Sequence, residues 1–206
     1  MSLLLKIHPE TPSQRHILKT IEILRNGGVI IYPTDTVYGL GCDINNKKAV
    51  EKLARLKGIE ITKANFSFIC KDLSDISDYT KPLPTNIFKL MKRHLPGPFT
   101  FILPAGKNVP RIFENQKKTI GIRIPSNIIP VEIVRELGNP ILTTSIHDTD
   151  EIIEYTTDPE LIWERYKNTV DLIIDGGFGK NMASTVVDCT QQDPEIIRQG
   201  IGKLLL

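Results

Sequence analysis

Val29-Ile30-Ile31-Tyr32 runs straight into Pro33-Thr34-Asp35-Thr36-Val37-Tyr38-Gly39-Leu40-Gly41, and this stretch decides how the chain is read. Four consecutive β-branched or aromatic residues, with no polar alternation, describe a strand covered on both faces. Pro33 ends it. The residues beyond bring two threonines, an aspartate and a tyrosine into a glycine-flanked turn, and glycine there lets the backbone come close to a ligand. The plainer alternative, a turn whose Thr and Asp side chains only serve their own backbone, stays open at this point.

Helix and strand signals extend in both directions. The amino-terminal Met1-Ser2-Leu3-Leu4-Leu5 reads as a first strand. Thr11-Pro12-Ser13-Gln14 reads as a capping-box start with Pro at the first helical position, and Ile17, Ile21 and Leu24 follow at helical spacing until Gly27-Gly28. Ala49, Val50, Leu53 and Ala54 make a second apolar stripe, and Thr85 caps a third that carries Ile87, Phe88, Leu90 and Met91 up to Pro96-Gly97. Val131, Val134 and Leu137 make a fourth, ended by Gly138, and Asp158-Pro159 opens a fifth that buries Ile162 and Tyr166. Between them lie short β-branched runs at 66–70, 99–103, 119–124, 141–144, 172–174, 185–187 and 196–198. Strands alternating with helices, then late strands without them, predict one α/β domain over residues 1–206. Its core is a twisted mixed sheet flanked by helices.

Composition narrows the class. The chain has 206 residues, 40% of them hydrophobic, and a net charge of +2, which supplies one good core and excludes a disordered chain. No apolar run approaches the roughly 18 residues of a membrane span, so no membrane partner is expected. Three widely spaced cysteines, Cys42, Cys70 and Cys189, argue for a reducing, cytoplasmic setting and against a disulfide framework or zinc site. Charge is segregated: residues 81–123 hold nine Lys/Arg against Glu114, whereas residues 124–176 hold three basic residues against eleven acidic ones. Such asymmetry marks either a nucleic-acid or polyphosphate surface or solvated faces whose signs happen to cluster.

Familiar motifs fail. Gly176-Gly177-Phe178-Gly179-Lys180-Asn181 lacks the first glycine of a phosphate loop and the Ser/Thr that would hold magnesium, so it reads as a glycine turn between strands. Gly39-Leu40-Gly41 lacks the third glycine of a dinucleotide fingerprint. His8, His16, His94 and His147 have no metal-ligand spacing. What remains is a set of strand ends rich in hydroxyls. In Thr119-Ile120-Gly121-Ile122-Arg123, alternation puts Arg123 on the face of Gly121, with room for its guanidinium to grip a carboxylate or phosphate. Thr143-Thr144-Ser145 ends one strand and Ser184-Thr185 begins another, while Lys57 and Arg198 supply positive charge. Together these describe a polar, anion-friendly site.

Pro33–Gly41, Leu95-Pro96-Gly97-Pro98-Phe99-Thr100, Gly121-Ile122-Arg123-Ile124-Pro125, Thr143-Thr144-Ser145 and Ser184-Thr185-Val186-Val187-Asp188 occur in an order and spacing that resembles the YrdC-like domain. This is the threonylcarbamoyl-AMP synthase family, and the likeness covers nearly the whole chain. Asn65-Phe66 and the ending after Arg198 look most like its YciO branch, a paralogous group. The resemblance implies a twisted sheet around an open, basic cavity. It implies an ATP-dependent nucleotidyltransferase that condenses L-threonine, bicarbonate and ATP to threonylcarbamoyl-AMP and pyrophosphate, for threonylcarbamoyladenosine in tRNA. Thr36, Tyr38, Arg123, Thr143 and Thr185 would hold threonine or its carbamate. Lys57, Thr100, Ser145, Ser184 and Arg198 would hold the nucleotide, with Lys57 and Arg123 as the catalytic cations. Magnesium is expected with ATP, and no motif places it.

The chain also departs from the family pattern. Where the family carries Lys-x-Arg-Pro, this chain reads Lys57-Gly58-Ile59-Glu60, and Ser-x-Asn becomes Ser145-Ile146-His147. Replacing the arginine removes a fixed charge and up to five donors, with Lys63 and His147 as candidate substitutes. The synthase activity expected is accordingly weak. The alternative is a paralogue that binds double-stranded RNA, tRNA or ribosomes through a concave basic surface.

Overall fold

Runs of apolar residues without alternation need helices on both sides of a sheet, and the computed structural model, which describes residues 1–61, 66–110, 118–146 and 157–205, supplies them. In chain order the first elements are β1 (Leu3–Lys6), α1 (Gln14–Arg25), β2 (Val29–Tyr32), β3 (Gly39–Asp43) and α2 (Lys47–Lys57). Then come β4 (Ser67–Ile69), α3 (Leu73–Tyr79), α4 (Thr85–His94), β5 (Phe99–Pro104) and β6 (Thr119–Arg123). The last are α5 (Ile128–Leu137), β7 (Ile141–Ser145), α6 (Pro159–Tyr166), β8 (Leu172–Asp175), β9 (Thr185–Asp188) and β10 (Glu195–Arg198). The strands form one mixed sheet in the order β1-β8-β2-β3-β7-β4-β6-β5-β9-β10. β8 is parallel to both its neighbours, while β3 and β7 pair antiparallel on each side.

The two faces are covered unequally. On one, Val29, Ile31, Leu40, Leu142, Phe68, Ile122 and Phe101 pack beneath the buried stripes of α2, α3, α4 and α6. On the other, Ile30, Tyr32, Ile69, Ile141, Leu172 and Ile174 lie under α1 and α5 alone. Beyond those two helices, the face of β7, β4, β6 and β5 carries hydroxyls, a guanidinium and glycine, with Ile102 of β5 as an aliphatic neighbour of Gly121. This single α/β domain has the predicted mixed sheet, and the strand segments read from sequence are found where expected.

Several local expectations are corrected. Gly39-Leu40-Gly41, read as a turn, is strand β3: its backbone is paired on both sides, and ladder bonds outweigh glycine's poor strand propensity. Helix α1 begins at Gln14, so Pro12 lies before it; Ser13 makes no side-chain cap, and the His8 ring takes the Thr11 N–H. Thr85 is the first residue of α4, not its cap, because Pro84 occupies the capping position. Helix α3, unanticipated, is capped by the Asp72 carboxylate, which accepts from the N–H groups of Ser74 and Asp75. Tyr166 and Val131 are half-buried. Asn65, Lys63, His147 and three charged residues of the basic segment (Arg111, Glu114 and Lys117) lie outside the described residues.

Candidate active site

Register assembles the polar face from strands distant in sequence. Gly41 stands opposite Thr143, Thr143 opposite Ser67, and Ser67 opposite Gly121. Paired residues point the same way and alternate residues share a face, so Gly39, Ser145, Arg123 and Thr100 belong to this side too. Of the thirteen buried polar residues among those described, seven gather here: Thr34, Asp35, Thr36, Thr100, Arg123, Thr143 and Ser184. Buried polar groups are expensive unless they are satisfied, so their concentration marks the site.

Arg123 is its centre. Its Nη2 donates to Asp35 Oδ1 at 3.1 Å and to Thr36 Oγ1 at 3.0 Å. The other Asp35 oxygen accepts from the Ser126 backbone at 3.1 Å, which fixes the carboxylate from behind. Thr34 Oγ1 donates to Val37 O and accepts from the Thr36 N–H, so the turn serves its own backbone and also presents Thr36 to the guanidinium. The Nε of Arg123 is buried with no hydrogen-bond partner. The guanidinium is thus held at one end, with a buried, unpartnered donor at its bend.

Tyr32 donates to Thr143 Oγ1 at 2.6 Å. Burial pushes its hydroxyl well above the usual tyrosine range, so it stays a protonated donor. Its ring passes over β3, where a Cβ at Gly39 would come within 2.9 Å of Tyr32 Cζ. Gly121 joins this group to a second one: a Cβ there would lie 2.5 Å from Ser67 Oγ and 3.3 Å from Thr100 Cγ2. Thr100 and Ser184 share a hydroxyl hydrogen bond of 2.8 Å, and Arg198 Nη2 donates to Ser184 O at 3.0 Å. From the end of α2, Lys57 Nζ reaches Ser145 O at 3.0 Å, beside Gly39.

Thr36, Arg123, Thr143, Thr100, Ser145, Ser184, Arg198 and Lys57 are therefore brought to one region. Tyr38 and Thr185 are not: both side chains lie on the opposite, apolar face. Tyr38 donates to Gly177 O at 2.6 Å and accepts from Gly176 N, clasping the glycine turn after β8. Thr185 donates to Gly202 O at 2.6 Å and accepts from Gly200 N, holding the carboxy-terminal segment. Sequence reasoning left Tyr32, Ser67 and Ser126 unassigned and gave Asp35 no partner. Alternation along β2 would have pointed to Tyr32, but Ser67 emerges only from strand pairing. A groove of about 680 Å³ lies elsewhere, where Lys6, His8 and His16 meet Asp158, Asp175 and Phe178.

Among the described residues, no group of three or more His, Cys, Asp or Glu is placed to hold a metal ion. The three cysteines are free and buried. No described helix is long and apolar enough to cross a membrane.

Known proteins share the sequence and the fold of this chain. The family profile for Sua5, YciO and YrdC, described as telomere recombination, matches residues 22–200. The uncharacterized protein YciO of Escherichia coli strain K12 is 43% identical over 205 residues, covering 98% of this chain and 97% of that protein. The threonylcarbamoyl-AMP synthase of Nitrosococcus oceani is 33% identical over 158 residues, 77% of this chain and 84% of that protein. The crystal structure of E. coli YciO superposes with a TM-score of 0.90 at 42% identity, covering 98% of both chains. That of P. abyssi Sua5 complexed with L-threonine superposes with a TM-score of 0.86 at 26% identity, over 97% of this chain and 58% of that one.

Proposed function

The chain belongs to the Sua5–YciO–YrdC family, and from that premise we propose that it is a threonylcarbamoyl-AMP synthase-like nucleotidyltransferase acting on L-threonine, bicarbonate and ATP. The observation that carries this reading is the buried, unpartnered Nε of Arg123, the donor a substrate carboxylate would complete. A relative with the same fold was crystallised with L-threonine, and another bears the synthase name.

In this reading Arg123 holds the threonine carboxylate, with Thr36 and Thr143 beside it. The threonine amine adds to the bicarbonate carbon and water leaves, giving a carbamate. A carbamate oxygen then attacks the α-phosphorus of ATP, its bond to the bridging oxygen breaks, and pyrophosphate departs with that electron pair. Thr100, Ser184 and Arg198 hold the nucleotide, and Lys57, beside Ser145, faces the departing charge. Tyr38 and Thr185 act from behind, by holding the loops that frame the site. Positioning and fixed positive charge are the protein's contribution. Asp35 is committed to Arg123 and Ser126, so this chain offers no resident magnesium site there; the ion would enter on the triphosphate and neutralise it. The free thiols fit a reducing, cytoplasmic setting, and tRNA threonylcarbamoylation would use the product.

The test is incubation of purified protein with all three substrates. Threonylcarbamoyl-AMP and pyrophosphate should form only when threonine, bicarbonate and ATP are all present. Product no greater than that from Arg123→Ala would overturn the reading.

One observation favours a second role. The outward residues of α4, Phe88, Lys89, Lys92 and Arg93, form a basic face with no acid on the helix. In that role the chain binds double-stranded RNA or tRNA, with affinity that falls steeply as salt rises. No binding at low salt would remove it.

A further inference from the structure

We infer that the Ser67 hydroxyl is a substrate-binding group that hydrogen-bonds the carbamate formed from bicarbonate; this rests on the reading above and supplies a residue for its third substrate. Ser67 lies in β4, and the register puts Thr143 beside it on one side and Gly121 on the other. Adjacent strands are about 4.8 Å apart, so one small ligand can touch all three positions. A serine hydroxyl is two bonds from its Cα, so the strand fixes its reach. A Cβ at Gly121 would stand 2.5 Å from Ser67 Oγ and 3.3 Å from Thr100 Cγ2, so the hydroxyl leans over the glycine, toward Thr100.

Neighbouring hydroxyls of this face are taken. Thr34 donates to Val37 O, Thr36 accepts from Arg123, Thr143 accepts from Tyr32, and Thr100 pairs with Ser184. Ser67 is half-buried, and its Oγ has no hydrogen-bond partner among the described residues. A donor left over beside satisfied ones is open to a ligand.

The position of Ser67 selects the ligand. With the threonine carboxylate on Arg123, beside Thr36 and Thr143, and the nucleotide on Thr100, Ser184 and Arg198, the carbamate has to bridge the two groups. Its carbon is bonded to the threonine nitrogen and, after attack, is joined through oxygen to the α-phosphorus. Ser67 is on the strand between Thr143 and Gly121, and Gly121 puts no side chain between Ser67 and Thr100. Pyrophosphate departs from the far side of the phosphorus, away from this hydroxyl. The carbamate spreads its negative charge over two oxygens; Ser67 Oγ donates to the one that does not attack and keeps its proton throughout. One hydroxyl held there fixes the orientation of the nucleophile.

The experiment measures threonylcarbamoyl-AMP synthesis by the full chain against bicarbonate concentration, at saturating L-threonine and ATP, for wild type, Ser67→Ala and Ser67→Thr. Calorimetric titration of each protein with L-threonine and with ATP accompanies it. The expected result is that Ser67→Ala lowers kcat/KM for bicarbonate about tenfold or more and leaves threonine and ATP affinities unchanged. Ser67→Thr, which keeps the hydroxyl, should retain most of the wild-type value. An unchanged kcat/KM for bicarbonate in Ser67→Ala, with an active wild type, overturns this inference alone. So does an equal loss in both variants, which makes shape the cause, or a matching loss of threonine or ATP affinity, which places the hydroxyl on another ligand. A wild type that forms no threonylcarbamoyl-AMP overturns the synthase reading and this inference with it.

Discussion

Arg123 and Asp35 face each other with Nη2 3.1 Å from Oδ1, and each is only 9% exposed. Such a pair contributes little by existing, because desolvation offsets attraction, but removing one partner strands the other in a poorly solvated site. Asp35→Ala should therefore lower unfolding free energy by about 3–5 kcal/mol. Urea unfolding with an unchanged m-value is the check. A loss below about 1 kcal/mol would mean that water reaches the guanidinium freely.

The Tyr38 hydroxyl has two backbone partners, Gly177 O and Gly176 N, and its ring supports Gly179. Tyr38→Phe keeps the ring and deletes both hydrogen bonds. Stability should fall by about 1 kcal/mol. Hydrogen exchange should quicken at Gly177, Gly179 and Lys180 while the amides of β2 stay protected. Exchange that is equally fast across the sheet would place the hydroxyl in the global core instead.

Burial pushes the Cys189 thiol up to about 12, and raises Cys42 and Cys70 further, because each thiolate would sit in apolar surroundings. At pH 8 the native protein should resist iodoacetamide, and unfolded protein should react at all three thiols. The pH dependence has a definite sign. An unfolded thiol ionises near 9 while native Cys189 keeps its proton to about 12, so stability falls as pH rises through that window. Unfolding midpoints measured from pH 8 upward should decline with no matching decline below pH 8.

Two glycines should respond to alanine for different reasons. At Gly41 a Cβ would meet Leu142 O and Ile141 Cγ2, both at 2.7 Å, and the paired strand cannot step aside. Gly41→Ala should cost about 1–3 kcal/mol through overpacking. Gly138 has φ +83 and open space around it, so Gly138→Ala should cost about 1 kcal/mol through the backbone alone. Thermal unfolding of the two variants separates these cases if a crystal structure of the first shows displacement in β7 and that of the second does not.

The strands were readable because their residues are buried on both sides: Val29–Tyr32 and Leu172–Ile174 leave no other interpretation. Strand β3 was not, because Gly39 and Gly41 carry no strand signal and are there to let the Tyr32 ring pass. In the site, Arg123 and Thr36 were accessible through alternation and turn chemistry. Ser67 was hidden, since its place depends on being flanked by Thr143 and Gly121 from strands more than fifty residues away. Tyr38 and Thr185 show the converse limit. Hydroxyls near a strand end look alike in sequence, and only the parity of the strand tells which serve a ligand and which serve the backbone.

The row Gly41–Thr143–Ser67–Gly121 has one more consequence. Its members meet only if four strands dock without slipping, and a shift of one residue would turn each hydroxyl toward the greasy layer and an aliphatic side chain toward the ligand. Under the proposed function, a misthreaded chain would be blind to its substrate, and ligand-dependent protection would report the fraction of molecules that assembled correctly.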